Sequence, residues 1–328
     1  MRNQKDMIEL MKNIGKLMNM KKSVAIAAIV FSPFAAASAQ DAASSSAALT
    51  FLDRTHGAVR SATAGVGSVS DDAYAHWGNV SAAAFSEKTF KAGAGYGLWQ
   101  PSANKGNVAD FGAFWRIGDK WTVTAGVSFG AYAIEHRMDE YGVALSDFRP
   151  SDMVAGAGVA CRIIDCLSVG AAFNWAGSRG IDSSLNAFAA DVNLTFRKYG
   201  VNVTAFAKNL GTKIKAADGV SYSLPMSAGL EAGYGLDFGK SSIYAALQGQ
   251  CWFGGPFGIS PSVAAEYSWN NLLFCRAGLH YGSKKNGLPS YGSIGLGFCL
   301  HGFSLDLSWN AALGVMKNSF ACGVGYSF

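Results

Sequence analysis

The chain has 328 residues, of which 15% are charged and 12% aromatic, with 40 glycines, a mean hydropathy of +0.16 and a formal net charge of +5. Residues 1–39 contain six basic and two acidic residues, so the remainder carries about +1, which excludes a basic nucleic-acid-binding surface. After residue 40 no run of about 18 apolar residues occurs, which excludes a transmembrane helix and favours alternating strands.

Residues 1–39 have the organisation of a secretory signal peptide. A charged pair, a short apolar stretch and a small-residue cleavage site follow one another at Lys21-Lys22, Val24–Phe31 and Ala37–Ala39. We expect cleavage before Gln40 and interpret Met20 as the true start. The alternative, an N-terminal anchor helix, needs a longer apolar stretch.

Residues 40–86 form an Ala/Ser-rich lead-in followed by a segment that is neither helical nor alternating. Asp71 and Asp72 precede 73–77 in the manner of a helix cap. We expect a plug folded into the mouth of a barrel. A phosphate loop at 65–67 lacks its strand and helix context, and His56 and His76 lack a metal-ligand pattern, so no cofactor is expected.

From residue 87 to residue 328 the sequence alternates with period two, which predicts about fourteen antiparallel strands. The last strand shows the pattern well, with Phe320, Cys322, Val324, Tyr326 and Phe328 on one apolar face. The eighth strand is expected to begin at Met226 with that side chain outward. The prediction is an all-β transmembrane antiparallel β-barrel with a small N-terminal plug, and the alternative is a soluble sandwich.

The predicted connections support the barrel. Those after even-numbered strands are short, and most of those after odd-numbered strands are longer, including 134–150 and 210–223. Short turns at one rim and long loops at the other are typical of outer-membrane barrels.

The inward faces carry balanced charges, which we interpret as ion-pair partners inside the lumen. The six cysteines are interpreted mostly as small apolar residues, although a Cys161–Cys166 disulfide stays open. No catalytic arrangement connects the five histidines with nucleophiles or carboxylates, so an enzyme is not expected.

Three stretches resemble the PorV/PorQ family of outer-membrane proteins, whose members are similar to the long-chain fatty-acid transporter barrel and serve the type IX secretion system. The strongest stretch comprises Asn209, Leu210, Gly211, Thr212, Lys213 and, further on, Pro225. The second is 147–152 together with 167–170. The third is the plug, with Arg60, Asp71, Asp72, Trp77 and Asn79, where the family's Asn-Pro-Ala lacks its proline.

At the 209–211 corner, glycine permits a turn and asparagine can bond locally, so a purely structural role stays as open as a partner contact.

The resemblance implies a non-enzymatic protein in the outer membrane of a Gram-negative, Bacteroidota-type cell. Its long loops would bind the secretion translocon or secreted cargo proteins. The alternative is a fatty-acid-type transporter for hydrophobic small molecules. Other expected partners are outer-membrane lipid and the barrel assembly machinery, which would recognise Tyr326 and Phe328 at the C-terminus.

Overall fold

The computed structural model describes residues 47–67, 72–101, 105–181, 184–215, 219–255, 257–282, 290–312 and 318–328. The predicted signal peptide lies outside the described residues. Two α-helices, α1 (Ala58–Ala62) and α2 (Ala75–Gly78), and two 3-10 helices, Thr50–Asp53 and Ser81–Phe85, precede the strands. Among the described residues, no helix is long enough and apolar enough to cross a membrane.

The strands follow in chain order as β1 (Phe90–Trp99), β2 (Gly106–Ile117), β3 (Trp121–Ala131), β4 (Ser151–Ile164), β5 (Leu167–Arg179), β6 (Ser184–Lys198), β7 (Val201–Gly211), β8 (Ile214–Lys215), β9 (Ser221–Tyr222), β10 (Ser227–Phe238), β11 (Ser241–Trp252), β12 (Gly258–Trp269), β13 (Leu273–His280), β14 (Tyr291–Leu300), β15 (Phe303–Ala312) and β16 (Ser319–Ser327). Within the described chain, β8 and β9 form a separate two-stranded sheet. The other fourteen strands close into one antiparallel barrel, which confirms the predicted fold class.

Each strand of the barrel pairs with its neighbours along the chain, and β1 closes the ring by pairing with β16 from Lys91↔Ser327 to Leu98↔Phe320. The C-terminal residue completes this seam. The Phe328 amide donates to the carbonyl oxygen of Phe90, its own carbonyl oxygen accepts from Thr89 and Phe90, and the two phenyl rings stack at 5.3 Å. Closure leaves no strand edge unpaired at this seam, as a membrane interior requires.

Side chains alternate between an apolar exterior and a polar interior. In β3 the outward residues are exposed to the barrel's surroundings while the inward Thr122, Thr124 and Ser128 are buried. Outward aromatics such as Trp115, Trp121 and Tyr281 are more than half exposed, which matches the predicted interfacial girdles. An apolar outer surface of this extent is stable only against lipid, so the chain is a transmembrane barrel of the outer-membrane type.

Connections differ between the two rims as predicted. The turns at 118–120, 165–166, 199–200, 239–240, 270–272 and 301–302 have two or three residues, and the opposite rim carries longer loops such as 132–150 and 212–226. We call these the short-turn rim and the long-loop rim, and the former faces the periplasm in barrels of this type.

Two details differ from the sequence-based expectations. Met226 was expected to face outward, but it packs against an apolar cluster inside the barrel because the chain before β10 turns into the lumen. All six cysteines are free thiols, so Cys161 and Cys166 form no disulfide in the structure.

Candidate functional site

The candidate site is the lumen, which is occupied by the plug (residues 47–67 and 72–86). The plug starts at the long-loop rim, where the Ala48 amide donates to the Ser223 carbonyl oxygen at 2.9 Å. It ends at the short-turn rim, where Arg116 and Arg162 donate to the carbonyl oxygens of Ser86 and Ala84. The plug therefore crosses the barrel from one rim to the other.

The outer half of the lumen contains an apolar cluster that joins the plug to the wall. Its buried members are Leu49, Val154, Ala176, Ala187, Ala189 and Leu224. Partly buried apolar side chains surround them, namely Ala48, Phe51, Leu52, Trp77, Leu185, Ile214 and Met226. Apolar surface inside a lumen that is otherwise polar is suited to holding a hydrophobic molecule, once a resident side chain moves aside.

The inner loop (residues 219–226) turns into the lumen and contributes Leu224, which is fully buried in the apolar cluster. Asn209 holds this loop in place. Its side-chain amide donates to the Pro225 carbonyl oxygen at 3.2 Å, and its backbone amide donates to Asp191 Oδ1 at 2.7 Å. A β-bulge beside Asp191 and a left-handed backbone at Asn209 (φ 57°) allow both bonds.

The predicted turn glycine has a different role. Gly211 is in the extended strand β7, and the left-handed residue of this corner is Asn209, whose polar side chain tolerates that conformation. A Cβ atom on Gly211 would lie 2.5 Å from Leu224 Cδ1, so glycine is needed to seat the inner loop. Of the remaining predicted residues, Pro225 is buried, Leu210 is half-buried, and Thr212 and Lys213 are exposed.

Trp77 forms the centre of the plug. Its ring stacks on His56 with centroids 4.5 Å apart and meets the edge of His76 at 4.7 Å. His56 Nδ1 lies 3.1 Å from Asp110 Oδ1, and a wall threonine and asparagine bind His76. Burial lowers the pKa of His56, and burial lowers the pKa of His76 to about 4, so both imidazoles are neutral at pH 7. Neutral, hydrogen-bonded rings make this a packed core, as the sequence suggested for both histidines.

Arg60 and Asp72 form a buried ion pair within the plug, with Arg60 Nε 3.6 Å from Asp72 Oδ2. Asp72 does not cap α2 as expected. Its Oδ1 accepts from the Tyr74 amide at 2.8 Å, and the N-cap of α2 is Tyr74 itself. The side chain therefore closes the turn before the helix, while Asp71 lies outside the described residues.

Asn79 fixes the end of the plug with both ends of its amide. Nδ2 donates to the hydroxyls of Thr195 and Thr204 at 3.2 and 2.9 Å. Oδ1 accepts from the Ser81 hydroxyl at 2.8 Å and the Ala82 amide at 3.1 Å. The family's asparagine thus keeps a positioning role here although the proline that usually follows it is absent.

Inward-facing glycines were missed by the sequence reasoning, which noted only that glycine is abundant. A Cβ atom on any of several of them would come within 3 Å of the plug, namely on Gly112, Gly126, Gly156, Gly170, Gly278 and Gly295. These positions let the plug lie directly against the wall. The available signal was glycine recurring on the inward face of strands rather than in turns.

The half of the lumen nearer the short turns is polar. Arg276 pairs with Glu266 and Asp306 at 2.6 Å each and lines a cavity of about 270 Å3 together with Lys91 and Tyr74. The predicted balance of inward charges is thus realised as an ion-pair network. Arg197 and Asp237 differ, because both lie at exposed strand ends.

Comparison of the sequence with protein-family models and with curated proteins finds no match. Solved structures do match. The Ralstonia pickettii toluene transporter TbuX aligns at 14% identity with a TM-score of 0.55, covering 83% of this chain and 97% of that chain. The P. putida toluene transporter TodX aligns at 12% identity with a TM-score of 0.57, covering 83% and 98%.

A Pseudomonas aeruginosa FadL homologue aligns at 11% identity with a TM-score of 0.54, covering 84% of this chain and 99% of that chain. At such identities the likeness concerns the fold. The chain shares its barrel architecture with these FadL- and TodX-type proteins.

Proposed function

We propose that this protein is an outer-membrane channel for small hydrophobic molecules. The apolar cluster carries the proposal, because it is the part of the lumen where a hydrocarbon can exchange water for an apolar surrounding. The fold is that of two toluene transporters and a FadL homologue, which supports the same class of substrate.

Substrate would reach the cluster from the long-loop rim. Leu49, Phe51 and Leu52 of the plug occupy the space today, and Leu224 covers it from the inner loop. A hydrophobic molecule would have to displace one of these side chains. Since each is apolar and held by packing, the displaced contact is replaced in kind by the substrate.

The path onward favours the wall over the axis. The axial route leads past the Glu266–Arg276–Asp306 network, where an apolar molecule gains nothing. At the outer end of β11 to β15, an apolar groove of about 770 Å3 lies in the lipid-facing surface. Outward Leu247, Leu279 and Ala311 line it together with inward His280, so it brings lipid close to the lumen.

Uptake of radiolabelled toluene into vesicles containing the purified barrel tests the proposal. Leu224→Ala vacates apolar volume inside the cluster, so uptake should rise, because a dry apolar cavity binds small aromatics. Leu224→Asn should lower uptake by introducing a polar amide there. The matched control, Leu307→Ala, truncates a lipid-facing leucine and should leave uptake unchanged.

Equal uptake by all three variants and the parent would contradict the proposal. A second pair addresses the route. Ala311→Trp fills the groove and should slow uptake, whereas Ala125→Trp adds the same ring to a lipid-facing site elsewhere on the wall.

A second candidate function, the docking of proteins of the type IX secretion system, is favoured by the β3–β4 loop. Its arms approach at Glu135↔Phe148 and Met138↔Ala144 and form a ribbon. Asp139 Oδ1 accepts from two amides at the tip, at 2.9 and 2.8 Å. Large apolar side chains are nevertheless exposed there, with Tyr141 at 83% and Met138 at 69%. Exposed aromatic and methionine side chains are typical of protein-binding surfaces.

Pull-down from detergent-solubilised outer membrane tests this second function. The parent should recover a secretion component or cargo protein, and the double variant Met138→Ser and Tyr141→Ser should not. Recovery of neither by the parent would count against the PorV/PorQ reading and a Bacteroidota-type source.

A further inference from the structure

A continuous chain of hydrogen bonds joins helix α2 of the plug to the inner loop through three strands of the wall. His76 Nε2 bonds to Asn174 Oδ1 at 2.8 Å, and Asn174 Nδ2 donates to Asp191 Oδ2 at 3.0 Å. The Asn209 amide donates to Asp191 Oδ1 at 2.7 Å, and Asn209 Nδ2 donates to the Pro225 carbonyl oxygen at 3.2 Å. Each of the five residues is buried.

The donors and acceptors in this chain fix one another. Asn174 presents its nitrogen to the Asp191 carboxylate, so its oxygen must face His76 and His76 must donate from Nε2. His76 Nδ1 is then an acceptor, which suits the Thr124 hydroxyl 3.1 Å away. Asp191 accepts from both sides and is the junction. Reversing any one group would leave a buried polar atom unsatisfied, which is costly.

The two ends of the chain belong to elements outside the barrel wall. The inner loop enters from the long-loop rim, and α2 lies across the lumen against β3 and β4, where Gly126 and Gly156 seat it. Their shared contact besides the chain is made at the start of the plug, through Ala48 and Ser223. The polar chain is thus the link between α2 itself and the loop.

We propose that Asn209 and Asp191 are positioning residues that couple the inner loop to the plug. When the loop leaves the apolar cluster, the Asn209 side chain loses Pro225, Asp191 and Asn174 reorient, and the bond that orients His76 weakens. Coupling of this kind is reciprocal, so loosening α2 releases the loop to the same degree. The coupling does not depend on what the channel carries.

Hydrogen exchange measured by mass spectrometry on the purified barrel tests the proposal without any transport step. Asn209→Gly keeps the left-handed backbone and the amide bond to Asp191, and it removes the bond to Pro225. Exchange should rise in the inner loop. It should also rise about fivefold or more in α2, whose residues the Asn209 side chain does not bond in the structure.

Asn174→Ala breaks the chain at the plug end, and exchange of residues 219–226 should rise in return. The matched control is Ser168→Ala, which removes the 2.7 Å bond from the Ser168 hydroxyl to the Ser81 carbonyl oxygen. It weakens the same plug without touching the chain, so residues around 81–84 should exchange faster and the inner loop should not.

Three results would overturn the proposal. In the first, Asn209→Gly affects the inner loop alone or neither element. In the second, Asn174→Ala leaves the loop unchanged. In the third, Ser168→Ala releases the loop as strongly as Asn174→Ala, which would mean that the lumen contents respond as one body. Heat-dependent gel mobility confirms that each variant is a folded barrel, and a failed toluene uptake experiment would leave the exchange result standing.

Discussion

Replacement of Gly126 by alanine tests whether the glycine-lined wall is what seats the plug. A Cβ atom at this position in β3 would lie 2.6 Å from two ring carbons of Trp77 and 2.8 Å from its Nε1. Ordinary contact begins at 3.4 Å. Trp77 must therefore move, but His56 lies on its face and His76 at its edge. Relief is possible only by shifting the whole centre of the plug.

The expected cost is that of inserting one methyl group into a packed core, about 1–3 kcal/mol. Alanine also lowers the entropy of the unfolded chain, which offsets the cost by roughly 0.4–1 kcal/mol. Gly249→Ala is the control for that term. Gly249 faces outward on β11, and a Cβ atom there would meet nothing within 4 Å. The difference between the two variants isolates the contact with Trp77.

Guanidinium unfolding in lipid vesicles measures the difference, since the midpoint shifts in proportion to stability when the slope is unchanged. Gly126→Ala should unfold at lower denaturant concentration than Gly249→Ala, and planar bilayers containing it should show larger ion conductance. Coincident unfolding curves for the two variants would refute the claim that inward glycines determine where the plug lies.

Arg162→Ala removes a charged donor to the Ala84 carbonyl oxygen, so residues 81–86 should exchange amide hydrogens faster, by the equivalent of about 1.5–3 kcal/mol, while Arg149→Ala in an exposed loop should not change them. Burial raises the pKa of the Asp53 carboxyl in the plug to about 6, so its stabilising contribution is present below pH 3.8 and is lost as pH rises through about 6. The thermal midpoint should fall across that window, and Asp53→Asn should flatten the dependence. Deletion of Phe328 should leave the chain unassembled in the periplasm, seen as loss of the compact band on unheated gels, while Phe328→Tyr should assemble.

The barrel was predictable because each strand repeats one physical constraint. Alternation placed Phe320, Val324 and Tyr326 outward and the small residues between them inward, and the structure agrees in β16. Turn lengths then separated the two rims. Both signals are local in sequence, so no knowledge of distant contacts was needed.

The lumen was less predictable because its contacts join residues far apart in the chain. Asn209 was singled out and its local bonding foreseen, but its partner Asp191 lies across a bulge that alternation cannot show. Asp72 is a good helix cap in sequence, yet it closes the preceding turn. Gly126 carried no label in sequence, because its requirement comes from Trp77, 49 positions earlier.

The course of the plug from rim to rim has a mechanical consequence. Its last residues continue covalently into β1 after the arginine contacts at Ala84 and Ser86, while its first described residues are held at the opposite rim by single contacts such as Ala48 with Ser223. A pull from outside the cell at residue 47 would load these contacts one after another, as in peeling. The plug would be drawn out from the outer end and remain tethered at the periplasmic end, so unplugging by force is partial and reversible.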